Sequence, residues 1–240
     1  MLFSTFTMAQ SIKIAVAANV SYAVDDLKKE FNKLYPDVKI EVILGSTGKL
    51  TAQIKHGAPY QILMGANMMY PEILYKENFA ITPPLVYAKG SLAYFSKKER
   101  DFSQIIGLLK GDSIKRVAVA NPKTAPYGIA TKEALSNAKI YDEIKKKFVY
   151  GESISQTITY AVRATDLGII AKSALFSSKM SNYKKGVNWS DVDPKLYTPI
   201  SQGVVILNKG EGSKDVASFY AFILSKKAQK IFKKFGYQIP

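Results

Sequence analysis

The sequence predicts an α/β fold built on mainly parallel sheet with helices packed on its faces. Short apolar segments alternate with segments of helical spacing along almost the whole chain. The first of them read strand-helix-strand-helix-strand, and such crossovers lay helices over both faces of a parallel sheet. In addition, four short Gly/Ser/Thr/Asn loops each end an apolar strand and open a helix, the joint that αβ units require.

Ile12 to Ala18 is an apolar strand. An amphipathic helix from about Ser21 to Tyr35 follows, with Val24, Leu27, Phe31 and Leu34 at helical spacing and the charged residues largely on its other faces. Ser21 is suited to cap it, Asp25 and Asp26 favour the positive end of its dipole, and Pro36-Asp37 ends it. Val38 to Leu44 is the second strand, Leu50 to His56 a helix, Tyr60 to Gly65 the third strand and Pro71 to Glu77 another helix. A second unit begins near Ser91, with strands at 92–95, 116–120, 148–150 and 166–171 and helices at 102–109, 128–138 and 155–163. The strand 203–207 and two helices, 213–224 and 226–235, close the chain.

The 240 residues, 47% hydrophobic, suffice for one large domain or two small lobes. No apolar run approaches the ~18–20 residues of a membrane span. Met1 to Ala9 is apolar and ends in a small residue, as export signals do, but lacks a basic start. It reads as a residual export-signal segment, 1–9, with the mature chain starting near Gln10 or Ser11. Cysteine is absent, which removes thiol nucleophiles, thiolate metal sites and disulfides from consideration. The single histidine, His56, precedes Gly57 at a helix end and reads as a cap.

The net charge of +15 raises the possibility of a nucleic-acid or polyanion-binding module. However, the lysines are scattered over helix faces and ends, arginines are few, and no segment interleaves them with aromatics. A solvated basic surface accounts for them better. No base and nucleophile pair is evident, and the Ser and Thr residues lack a histidine or carboxylate partner, so the chain is not read as an enzyme.

The four loops are Ala17-Ala18-Asn19-Val20-Ser21, Gly45-Ser46-Thr47-Gly48, Pro126-Tyr127-Gly128 and Gly151-Glu152-Ser153-Ile154-Ser155. None carries a Lys or Arg at its tip. A helix start presents unpaired N–H groups and about half a positive charge, so it attracts an anion without basic side chains. Taken singly, Asn19 and Thr47 are equally at home as caps or turn residues, and Tyr127 as a packing aromatic. Their shared position at the carboxyl ends of predicted parallel strands, where ligands of such sheets bind, favours an anion site.

Val16-Ala17-Ala18-Asn19, Gly45-Ser46-Thr47-Gly48-Lys49-Leu50, Gly57-Ala58-Pro59, Val119-Ala120-Asn121-Pro122, Ala125-Pro126-Tyr127-Gly128, Leu167-Gly168-Ile169 and Phe232-Lys233-Lys234-Phe235-Gly236-Tyr237 occur in this order. In that order the chain resembles the periplasmic substrate-binding proteins of molybdate ABC importers, the ModA family, from about Ile12 to its end. The resemblance implies a type II periplasmic-binding-protein fold: two α/β lobes joined by two crossover strands near 85–91 and 198–203. Lobe 1 would comprise 10–87 and 200–240, and lobe 2 residues 88–199. It further implies a periplasmic, monomeric protein that binds molybdate or tungstate, delivers it to a membrane permease and uses no cofactor. The ligand positions fall on the side chains of Asn19, Thr47 and its neighbour Ser46, and on the backbone N–H groups of Tyr127 and Ile154; the metal atom itself would have no direct protein ligand.

The sequence departs from that family at Ala171, where some relatives carry a tyrosine donor, so that one donor is missing or Asn19 replaces it from the other lobe, and at Gln61 and Asn67, where acids are usual. A site made only of donors suits an unprotonated oxyanion. Protonated phosphate would need an acceptor, and Glu152, the one acid near a loop, is expected to point outward from the first turn of its helix. The same fold tuned to sulfate or another small oxyanion is the alternative.

Overall fold

The computed structural model describes residues 11–240. The segment 1–9, read as a residual export signal, lies outside the described residues.

Two five-stranded sheets organise the chain. The first contains β1 (Ser11–Ala17), β2 (Lys39–Gly45), β3 (Ile62–Met64), β4 (Leu85–Gly90) and, from near the end of the chain, β10 (Ile200–Ile206), in the order β2-β1-β3-β10-β4. The second contains β5 (Leu92–Phe95), β6 (Val117–Ala120), β7 (Phe148–Gly151), β8 (Leu167–Ala171) and β9 (Trp189–Asp191), in the order β7-β6-β8-β5-β9. In each sheet three strands are parallel: β2, β1 and β3 in one, β7, β6 and β8 in the other. The remaining pairs are antiparallel, because β10 and β5 run against their neighbours. Only Ser91 separates β4 from β5, so the chain leaves the first sheet there and returns through β10.

The helices are α1 (Val24–Asn32), α2 (Thr47–Lys55), α3 (Met69–Lys76), α4 (Ile105–Lys110), α5 (Pro126–Asn137), α6 (Tyr141–Ile144), α7 (Ile154–Arg163), α8 (Lys214–Leu224) and α9 (Lys226–Lys234). None is long and apolar enough to cross a membrane. Side chains alternate across a strand, so β1 sends Ile12, Ile14 and Val16 into a core with Phe31, Phe219 and Phe232, and Ala15 into another with Leu50, Leu63 and Leu74. Each fully buried Phe or Leu contributes ~1.5–3 kcal/mol. A third core surrounds the second sheet and includes Phe95, Val117, Ile158 and Ile169.

One local expectation fails. Ser21 does not cap the first helix: Ala18–Tyr22 form a 3-10 turn, and α1 starts at Val24 behind the apolar Ala23. The tighter turn takes up the residues that an earlier helix start would have used. The helix expected from Leu50 begins three residues sooner, at Thr47, directly on its loop. The short strand β9 and the helix α6 have too few residues for a periodic signal.

Candidate functional site

The carboxyl ends of β1 and β2 face those of β6 and β7, and the four loops beyond them converge. Ala17, Ala18 and Asn19 come from the first loop, Gly45, Ser46 and Thr47 from the second, Ala125, Pro126 and Tyr127 from the third, and Ile154 from the fourth. With Ala66, just beyond β3, they line a cavity of ≈ 10 Å³ open to the centre of a water. A cavity of that volume takes about one water-sized group, so only a small ligand fits between the loops as they stand. The small side chains of Ala17, Ala18, Ala66 and Ala125 keep the walls close. The sequence places Ala17, Ala18 and Ala125 in or beside the loops but gives them no ligand role, since alanines bear no chemistry of their own; Ala66 is not indicated by it.

Ser46 occupies the cap position of α2 in extended conformation, yet its side chain caps nothing. It is 4% exposed, and its Oγ has no hydrogen-bond partner among the described residues. Ser153, at the same position of α7, instead accepts from the Gln156 N–H at 3.2 Å. A buried hydroxyl left without a partner costs ~1–3 kcal/mol, so the Ser46 hydroxyl belongs to something other than helix capping. The neighbouring Thr47, fully buried, accepts from the Ala66 N–H at 3.0 Å through Oγ1. Its own proton remains available to donate.

The two backbone candidates are also at helix starts. Pro126 is the first residue of α5 and has no N–H, while Gly128 and Ile129 both donate to the Ala125 carbonyl. The Tyr127 N–H therefore stands alone at the cavity. Ile154 opens α7, where first-turn N–H groups have no intrahelical acceptor.

Asn19 lines the cavity and is buried, but its amide nitrogen is engaged. Nδ2 donates to Gln202 Oε1 at 2.8 Å and to the Tyr237 hydroxyl at 2.9 Å, leaving Oδ1 without a partner. Tyr87 also donates to Gln202 Oε1, at 2.8 Å, and Gln202 Nε2 donates to the Tyr127 hydroxyl at 3.3 Å. Burial pushes the Tyr87, Tyr127 and Tyr237 phenols well up from their ordinary range, so all three remain protonated. Gln202 was missed by sequence reasoning. Its signal was a lone amide between Ser201 and Gly203 in β10, ahead of the apolar Val204, Val205 and Ile206.

Contacts reach across the cavity between the two sheets. Gly48 N–H donates to the Thr124 carbonyl at 3.0 Å, Ser155 Oγ to the Ala18 carbonyl at 2.9 Å, and Ser173 Oγ to the Asn19 carbonyl at 3.2 Å. Ser173 lies two residues beyond Ala171, the position without a tyrosine. Glu152 is exposed and pairs with Lys49 at 2.8 Å. It lies just ahead of α7 and not within its first turn, and it does not line the cavity. Among the described residues no basic side chain lines the cavity either. Among the described residues no group of three or more His, Cys, Asp or Glu is placed to hold a metal ion. His56 ends α2, its Nδ1 2.7 Å from the Ala52 carbonyl.

The family model for bacterial extracellular solute-binding proteins matches residues 12–238. The chain belongs to this family. Among solute-binding proteins it is similar to the molybdate-binding protein ModA of Azotobacter vinelandii, at 32% identity over 98% of this chain and 93% of that one. The molybdate-binding protein ModA of Rhodobacter capsulatus is 29% identical over 95% of this chain and 88% of its own length. The solved structure of the Azotobacter vinelandii periplasmic molybdate-binding protein superimposes with a TM-score of 0.87, at 27% identity, covering 95% of this chain and 99% of that one. The two-sheet solute-binding fold with four loops facing one cavity is therefore the architecture of this chain.

Proposed function

We propose that this solute-binding protein captures molybdate, and with it tungstate, outside the cytoplasm and hands it to the permease of an ABC importer. One observation carries the reading. Ser46, whose buried hydroxyl has no partner among the described residues, lines a small cavity between four helix-opening loops with no cationic side chain among its lining residues. The similarity to molybdate-binding relatives over nearly the full chain supports molybdate over sulfate.

In this reading the ion is held by donors alone. Ser46 and Thr47 donate their hydroxyl protons, Tyr127 and Ile154 their backbone N–H groups, and Asn19 its amide once the nitrogen turns from Gln202 and Tyr237 toward the ion. Hydrogen bonds to a charged group contribute ~1.5–3 kcal/mol each. The lobes, about 10–87 with 200–240 and 88–199, close on the ion and part about the crossover strands to release it. The protein acts as a monomer without a cofactor, carries out no catalysis and has no nucleic-acid partner; its positive charge is a solvated surface.

The test is calorimetric titration of ligand-stripped protein with molybdate, tungstate, sulfate and phosphate at fixed salt. One-to-one binding of molybdate and tungstate, far tighter than sulfate, is the expected result. Sulfate binding as tight as molybdate would favour the sulfate receptor, and heat from none of the four would remove the reading.

A further inference from the structure

Behind the cavity wall lies a buried cluster that the proposed capture of an anion leaves unexplained: Gln202, Tyr87, Tyr237 and the hydroxyl end of Tyr127, joined through the Asn19 side chain. All are 4% exposed or less. With the amides as described, two groups are stranded. Asn19 Oδ1 has no donor, and the Tyr127 hydroxyl receives from Gln202 Nε2 but has no acceptor among the described residues for its own proton. An acceptor facing an anion is also the wrong chemistry, since it repels the charge that the other groups attract.

The oxygen and nitrogen of a carboxamide are nearly equal in shape, so turning both amides over leaves every heavy-atom distance unchanged. The second pattern leaves one group without a protein partner, the Asn19 NH2, and a bound anion would supply its acceptor. Gln202 Nε2 then takes the places 2.8 Å from the Asn19 side chain and 2.8 Å from the Tyr87 oxygen, and donates to both. Tyr87 turns its proton to the Gly65 carbonyl at 3.1 Å. The Tyr127 hydroxyl gains Gln202 Oε1 as acceptor at 3.3 Å. Tyr237, whose hydroxyl donates to the Asn19 backbone carbonyl at 2.8 Å in the first pattern, turns its proton to Asn19 Oδ1 at 2.9 Å, and that carbonyl keeps the Ser173 hydroxyl at 3.2 Å. Asn19 Nδ2 is then free to donate into the cavity.

We propose that Gln202 is a positioning residue for the oxyanion. With the ion bound, its amide stands turned and holds the Asn19 amide with nitrogen toward the ion. The two patterns are tied together, because Gln202 Oε1 opposite Asn19 Oδ1 would set two acceptors in contact. The residue therefore contributes to affinity without touching the ligand, and it links the Asn19 loop of one sheet to Tyr127, whose backbone lines the cavity from the other. This inference rests on the anion-capture reading above.

The test is a nuclear Overhauser measurement on wild-type protein titrated with molybdate, with calorimetry on the same sample. The expected result is a contact from the Gln202 side-chain NH2 protons to the Tyr87 ring. A contact from those protons to the Tyr127 ring, with molybdate bound, overturns the inference and leaves anion capture intact. No binding heat overturns both. In Gln202→Glu the carboxylate can only accept, which holds Asn19 Nδ2 toward it. Molybdate affinity should fall about 10- to 100-fold, the range for a lost bond to a charged group. The Asn19 NH2 resonances should no longer respond to the ion. Affinity within about twofold of wild type, with the Asn19 response retained, overturns the assignment.

Discussion

The Gly48 N–H donates to the Thr124 carbonyl at 3.0 Å, so the start of α2 on the first sheet touches the loop ahead of α5 on the second. A Cβ on Gly48 would lie 2.8 Å from that carbonyl oxygen, 2.8 Å from the Tyr70 hydroxyl and 3.2 Å from Thr124 Cα. Backbone cannot yield as a side-chain end can. Gly48→Ala should therefore hold the two loops apart and weaken molybdate binding by about tenfold or more, a shift of ~1.4 kcal/mol. The ligand-free protein should melt no lower, because Ala within a helix is better than Gly by up to ~1 kcal/mol. Calorimetry and thermal melts together check this; unchanged affinity would mean that capture does not need the loops so close.

Side-chain and backbone donors should respond differently to substitution. Ser46→Ala removes a hydroxyl that serves no structural bond, so it should lower affinity by ~1–3 kcal/mol while raising or preserving stability. Thr47→Ala should lower both, because the buried Ala66 N–H loses its acceptor. Ile154→Val keeps the N–H and most of the packing and should bind nearly as wild type. Tyr127→Ala also keeps its N–H, but it empties the space of a ring only 1% exposed and should cost ~3–5 kcal/mol of stability. Binding measured well below its melting temperature should survive; its loss in a folded protein would contradict the backbone assignment.

Strands and helices with several apolar residues at one spacing were legible in the sequence, and so were the loops between them. Loop chemistry at strand ends is local, and each of the four expected loops does face the cavity. What could not be read was the state of each polar atom. Ser46 and Ser153 stand at equivalent helix starts, yet only Ser153 caps its helix, a difference set by the surrounding packing. Asn19 likewise reads as a simple donor until Gln202 and Tyr237, remote in sequence, are seen to hold its amide. The antiparallel run of β10 was invisible for the same reason: strand direction depends on the return from the second sheet.

The Lys49–Glu152 ion pair spans the two sheets at 2.8 Å, with both side chains about half exposed. The Lys49 hydrogen bond, with further help from Asn121, holds the Glu152 carboxyl below its ordinary range. Because that value is lowered, the pair holds the two loops together above the ordinary glutamate range, and the benefit fades as pH falls through the lowered value. Exposed pairs contribute little, so Lys49→Met should weaken molybdate binding less than about threefold. Binding should also depend only weakly on salt, unlike a polyanion surface. A steep salt slope in the titration would revive the polyanion reading.

The buried phenols set an alkaline limit on stability. Desolvation is the leading cause that pushes Tyr87, Tyr127 and Tyr237 upward, and Tyr94 is pushed up to about 12 by its own burial. An acid whose folded value is raised contributes stability that is fully present below its unfolded value and lost above it as the unfolded chain ionises. Denaturant midpoints should therefore hold as pH rises to about 10, the unfolded tyrosine value, and fall beyond it. Tyr87→Phe removes one such ionisation and should flatten the fall, although the protein starts less stable for the loss of the bond to Gln202. Tyrosinate absorbance should rise for these residues only as the circular dichroism of the fold is lost. Ionisation of the whole tyrosine set in protein that keeps its native spectrum would show that the cluster admits water and is not the sealed support of the anion loops.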